Sequence, residues 1–193
     1  MNNNLRILKL FVDNKDQTFT IKKVSETLKI NYRIAYQETM KLGKEELLKI
    51  EKIGNSNNCH FNYRYHSKIV EIEQIRKEDL YKNKDIKLIY NRIKEIKSPF
   101  YSLILFGSCI NKKNTKESDI DLCLITDSQE INKQVHAILT VTPLNIDLQE
   151  FTSGEFLQMI NRKEFNVGNE IVKNNIVLYG IESFYKLINN VKQ

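Results

Sequence analysis

The sequence has only three cysteines, Cys59, Cys109 and Cys123. They are odd in number and widely spaced and form no zinc motif, so the expectation is free thiols in a reducing compartment. No apolar run approaches the roughly 18 residues needed to span a bilayer. The amino terminus, Met-Asn-Asn-Asn-Leu-Arg, has none of the charged-then-apolar order of a secretion signal. No membrane partner and a cytoplasmic location are expected. Internal repeats and low-complexity tracts are absent. Prolines number only two, Pro99 and Pro143, and each reads as the introduction to a strand.

What is present divides the chain. Its 193 residues suffice for one large domain or two small ones, each with a core. The net charge of +6 is uneven: residues 1–65 carry +5, residues 66–98 carry +3 and residues 99–193 carry −2. A basic front and a slightly acidic back imply two modules with different partners, the front being the one suited to nucleic acid. The boundaries expected are a first domain over 1–65, a helical linker over 66–84 and a second domain over 85–193.

In the front, Leu5, Ile7, Leu8, Phe11 and Val12 recur at helical spacing. Phe19-Thr20 reads as a very short strand, and Thr20 can cap a second helix with Ile21, Val24 and Leu28 inward. After the turn at Ile30-Asn31 comes a third helix. It should bury Ile34, Ala35 and Met40, leave Tyr32, Arg33, Tyr36, Gln37 and Lys41 outside, and stop at Gly43. Two alternating runs, Leu47 to Ile53 and Cys59 to Tyr65, flank the Gly/Asn/Ser stretch 54–58 and signal a hairpin. Three short helices and a hairpin make a winged helix-turn-helix, in which the third helix enters the major groove and the hairpin is the wing. The candidate DNA contacts are Tyr32, Arg33, Tyr36, Gln37 and Lys41, with Lys52 on the wing. Such modules also serve in dimerisation, and a homodimer stays open.

The linker reads as charged helix, with a fresh helix capped by Asp85 and carrying Ile86, Ile89, Ile93 and Ile96 inward. Behind it, strands at 101–106, 118–125 and 144–149 alternate with helices, and a capping box at Thr152 and Glu155 opens one of them. The chain as a whole is expected to be α+β. Two apolar runs flank the polar loop in Leu103-Ile-Leu-Phe-Gly-Ser-Cys-Ile-Asn-Lys-Lys-Asn-Thr-Lys-Glu-Ser-Asp-Ile-Asp-Leu-Cys-Leu-Ile125. Strand side chains alternate, so Asp119 and Asp121 share one face and Ile120, Leu122 and Leu124 the other. Paired carboxylates without a basic partner repel, an arrangement that awaits a cation. Asp147, on the next strand, offers a third oxygen ligand, and oxygen-rich sites suit Mg²⁺. Gly107-Ser108, where a strand turns, permits close backbone approach and a phosphate cradle. Carboxylates, metal and phosphate together imply nucleotidyl transfer.

At these residues the chain resembles the DNA polymerase β-like nucleotidyltransferase superfamily and, within it, the minimal nucleotidyltransferase branch. The shared pattern is Gly-Ser after a strand, Asp-x-Asp opening the next, and a single later Asp. The resemblance covers about residues 85–193 and implies a small nucleotidyltransferase domain of mixed sheet packed with helices. It also implies ATP or another nucleoside triphosphate as donor, and two Mg²⁺ ions. By carry-over, Asp119, Asp121 and Asp147 are the metal ligands and the catalytic residues, and Asp147 helps deprotonate the acceptor. Gly107 and Ser108 hold the triphosphate. The branch's arginines and second glycine are missing after Ser108, so phosphate grip is either weaker or supplied by Lys112, Lys113 or Lys116. Relatives modify proteins, often a toxin of the HEPN type, which makes such a protein an expected partner. The alternative is a DNA-binding regulator whose degenerate domain senses nucleotide or docks a partner; a scaffold is the third reading. Asp127 is expected to form a turn, and His60, His66 and His136 to be structural. Tyr179 and Phe184 are expected in the core.

Overall fold

The computed structural model describes residues 1–98, 100–111, 119–162, 164–189 and 191, with Asn111 described for its backbone only. Pro99 and Ser118, expected at the starts of strands, lie outside the described residues. Two compact units divide the chain, Met1–Ile72 and Glu73–Val191. Among the described residues no helix is long and apolar enough to cross a membrane.

The first unit contains α1 (Asn3–Asp13), β1 (Phe19–Thr20), α2 (Ile21–Leu28), α3 (Tyr32–Lys44), β2 (Leu48–Ile53) and β3 (Ser56–Phe61). Each helix starts on a side-chain cap: Asn2, Thr20 and Asn31 accept backbone N–H groups at the ends of α1, α2 and α3. The apolar stripe of α1 is buried, as are Ile21 and Val24 of α2 and Ala35 and Leu42 of α3. The strands form a three-stranded antiparallel sheet in the order β1-β3-β2, with Phe19 opposite Cys59. Three details differ from the sequence reading. The hairpin turns over Gly54-Asn55, with Ile53 paired to Ser56, so β3 begins three residues early. Gly54, at φ 59°, supplies the left-handed backbone of this two-residue turn. Gly43 does not end α3: it lies inside the helix, where a β-carbon would meet Ile50 Cδ1 at 2.6 Å. Ile34 is 39% exposed rather than buried, because Ala35, Thr39 and Leu42 form the inward stripe.

The helix α4 (Ser67–Leu80) crosses the division between the units. The second unit continues with α5 (Lys84–Ile93), β4 (Tyr101–Phe106), β5 (Ile120–Thr126), α6 (Gln129–Thr140), β6 (Ile146–Phe151), α7 (Ser153–Asn161), α8 (Val167–Lys173), β7 (Asn175–Tyr179) and α9 (Ile181–Asn189). The cap of α5 is Asn83, whose side chain accepts from Asp85 N; Asp85 sits in the first turn instead. The four strands run β6-β5-β4-β7. β4 is antiparallel to both neighbours, while β5 and β6 are parallel and joined by the crossover helix α6. One face of the sheet packs Leu103, Leu105, Ile120, Leu122 and Leu124 against Ile86, Ile89 and Ile93 of α5 and Ile131, Val135 and Leu139 of α6. Phe151 of β6 lies 6.0 Å, ring to ring, from Phe156 of α7, and Phe156 lies 6.3 Å from Phe184 of α9. These rings cover the opposite face. Phe184 is a core residue, as read from the sequence, and Tyr179, partly buried, stacks on Tyr101 with centroids 4.3 Å apart.

The capping box of α7 forms as expected: Glu155 N donates to Thr152 Oγ1 at 3.2 Å, and Thr152 N donates to the Glu155 carboxylate at 2.8 Å. Replacing Thr152 with Ala removes the first bond. The expected cost is about 1 kcal/mol of stability, seen as a melting temperature lowered by a few degrees.

Candidate active site

β5 is apolar on both faces between Asp121 near its start and Thr126 at its end. Ile120, Leu122 and Leu124 face the α5–α6 core, which leaves Asp121 on the opposite face at the mouth of the strand. The parallel register sets Asp147 of β6 directly opposite Asp121. Residues opposite in register point the same way, so the two carboxylates stand side by side. Asp119, exposed, precedes β5 by one residue and lies two before Asp121.

The end of β4 is laid on this pair. Gly107 has φ 72° and opens a single 3-10 turn, Gly107–Asn111. A β-carbon at position 107 would fall on the Asp121 carboxylate, 2.8 Å from its Cγ. Glycine is therefore required twice, for its backbone angle and for its missing side chain. The Ser108 N–H donates to the Asp121 carboxylate, and the Ser108 residue is exposed. The Cys109 thiol, buried, donates to the Asp119 carbonyl oxygen at 3.5 Å. Gly107, Ser108, Cys109, Asp119, Asp121 and Asp147 are thus brought together. Lys112, Lys113 and Lys116 lie outside the described residues.

Electrostatically the site is strained. Burial pushes the Asp121 carboxyl above its ordinary range, the Ser108 N–H pulls it back, and the charges of Asp147 and Asp119 raise it again; the net direction is up. A cation among these groups would relieve the repulsion, and an all-oxygen donor set fits a hard divalent ion such as Mg²⁺. The fit is one of chemistry and position: among the described residues no three acidic, imidazole or thiol side chains are already gathered as a metal cage.

Sequence reasoning missed one neighbour here. Gln149 donates from Nε2 to both oxygens of Asp147, at 3.2 and 3.3 Å. It lies two residues beyond Asp147 on the same strand, so the period of two that pairs Asp119 with Asp121 also points to it. Asp127 accepts from the N–H of Ser153, the first residue of α7, at 2.9 Å, a bond across 26 residues that is not that of a local turn. His136 pairs with Glu150 at 2.8 Å on the surface.

In the first unit, Tyr32, Arg33, Tyr36 and Gln37 are exposed on α3, and Tyr32 and Tyr36 have ring centroids 6.5 Å apart. Lys41 is exposed but bonded to Glu38 at 2.7 Å, and Lys52 is exposed on β2.

The model of one protein family matches residues 62–164; it is described as the central palm domain of mitochondrial-like poly(A) RNA polymerase. The match takes in all three aspartates and Gly107-Ser108. No curated protein and no solved structure matches the chain.

The geometry makes two substitutions informative. Gly107→Ala forces both a left-handed backbone on alanine and a contact with Asp121, and should cost roughly 1–3 kcal/mol in denaturant unfolding. Asp121→Asn should melt above the parent at neutral pH. A carboxyl whose pKa rises on folding favours the native state below the ordinary carboxylate range, and that advantage is lost as pH rises through the raised value. The amide that replaces it has no charge to lose, so the difference in melting temperature should shrink as the solution is acidified.

Proposed function

The chain belongs to the family of mitochondrial-like poly(A) RNA polymerase central palm domains, and from that premise we propose that it transfers a nucleoside monophosphate from a nucleoside triphosphate, ATP in the first instance, to a hydroxyl group. The observation that carries this reading is the Gly107–Ser108 turn seated on Asp121, with Asp147 in register across the parallel pair. Acceptor oxygen bonds to the α-phosphorus, the bond from that phosphorus to the bridging oxygen breaks, and pyrophosphate leaves.

Asp119, Asp121 and Asp147 would hold two Mg²⁺ ions. When bound, such ions supply charge neutralisation at the triphosphate and acidify the acceptor hydroxyl. Asp147 is exposed and positioned to take the acceptor's proton. The Ser108 hydroxyl meets phosphate oxygens, and Lys112 and Lys113, in the polar stretch that follows, add positive charge to the triphosphate tail. The family description favours the 3′-hydroxyl of RNA as acceptor; a hydroxyl on a protein partner of the HEPN type is the acceptor suggested by the minimal branch.

For the first unit we propose the winged helix-turn-helix reading, supported by three capped helices followed by a hairpin. Its contact surface for double-stranded DNA is Tyr32, Arg33, Tyr36, Gln37 and Lys41 of α3 with Lys52 of β2. Phosphate contacts make such binding weaken with salt.

The transfer reading is tested by incubating the protein with Mg²⁺, labelled ATP, an RNA oligonucleotide and cell extract. Label should pass to RNA or to a protein, and should vanish in Asp119→Ala/Asp121→Ala; no transfer to any acceptor under any metal condition overturns it. Mg²⁺ should also raise the melting temperature of the parent but not of the double variant. For the first unit, DNA retention in a mobility-shift assay should fall with salt and be weakened by Arg33→Ala.

A further inference from the structure

A second set of charged groups lies in the same unit, well inside the protein. Glu73 is fully buried, and Arg76 and Lys77, on the next turn of α4, are 6% and 7% exposed. Arg76 Nη1 donates to both Glu73 oxygens, at 2.9 and 2.8 Å, and its Nη2 donates to the Asn175 carbonyl at 2.8 Å. Tyr185 of α9 donates its hydroxyl to Glu73 at 2.6 Å. Lys77 reaches the Leu178 carbonyl at 3.5 Å. Asn175 in turn donates its amide to the carbonyls of Ile171 and Val172, at 2.6 and 3.0 Å. The network thus seizes the first residue of β7 from its backbone and from its side chain.

Burying an ion pair gains little stability over an apolar replacement of the same volume, because desolvation offsets the attraction. What a guanidinium with Nη1 on Glu73 and Nη2 on the Asn175 carbonyl adds is direction. The direction here is toward the site. Asn175 is the register partner of Phe106, the residue directly before Gly107. The position of Asn175 sets the end of β4, and the end of β4 sets the turn whose Ser108 N–H is bonded to Asp121.

We propose that Arg76, oriented by Glu73 and Tyr185, is a positioning residue for the nucleotide site: by fixing Asn175 at the start of β7 it holds Phe106 and the Gly107–Ser108 turn against Asp121. The functional half of this proposal rests on the nucleotidyl-transfer reading; the positional half does not.

Arg76→Lys keeps the charge, but one ammonium cannot grip Glu73 at both oxygens and the Asn175 carbonyl together. Tyr185→Phe deletes only the hydroxyl bond to Glu73. Hydrogen–deuterium exchange on the full-length chain reads the turn directly, and circular dichroism shows whether each variant folds. In folded Arg76→Lys, exchange of the peptide Phe106–Asn111 should rise about tenfold, the factor for losing one bond to a charged donor. The rise in Tyr185→Phe should be smaller, and α6 (Gln129–Thr140), on the far face of the sheet, should be unchanged in both. The KM for ATP should rise several-fold with kcat little altered, since the turn is read as holding the triphosphate. Unchanged exchange at the turn, or an equal rise throughout the unit, overturns the proposal. If Arg76→Lys does not fold, Tyr185→Phe alone decides by the same local comparison. A parent protein that transfers nothing refutes the transfer reading, while the exchange comparison still judges the positioning.

Discussion

The Asp121 carboxylate is held by opposed influences, and the arrangement around it makes sense only when both are kept in view. The strand that carries it must be buried on both faces, which takes the carboxylate partly out of water and sets it beside Asp147 and near Asp119. Against this stand the Ser108 N–H and a glycine with no side chain to intrude. A carboxylate kept under like-charge pressure in this way is a group whose natural complement is a cation. Stability at neutral pH is surrendered at this one point.

Much of this is legible from residue order. The alternation in Asp119-Ile-Asp121-Leu places the carboxylates and the core on opposite faces, and the Thr152–Glu155 box marks the entry to α7, which starts at Ser153, two residues before the expected Glu155. Each is a local rule with a short reach, two residues in a strand and three at a helix end. The departures are also local, and each has a competitor at hand. Glycine often stops a helix, yet Gly43 lies inside α3, with Ile50 packed close beside its backbone. Asp85 loses the capping position to Asn83 two residues earlier. Hydrophobicity alone points Ile34 inward, whereas the buried stripe of α3 runs through the polar Thr39.

What residue order does not disclose is long-range. The Arg76–Asn175 bond joins residues 99 positions apart and the Tyr185–Glu73 bond joins residues 112 apart. In the sequence, Glu73, Arg76 and Lys77 are simply part of a charged helical stretch, the composition of a solvated face. Only the fold reveals that this face lies against the edge strand β7, whose carbonyls the cations satisfy. An edge strand leaves backbone groups unpaired, and a helix that covers it must bring donors. Charged residues are the right covering for that reason, and hydropathy points the wrong way.

The contacts of Ser108 with Asp121 and of Cys109 with the Asp119 carbonyl span the polar loop at its two roots. Because the roots are fastened to each other, Asp119 and Asp121 are tied to the end of β4 by contacts of their own, a short bracket that joins two strands where the ladder between them stops.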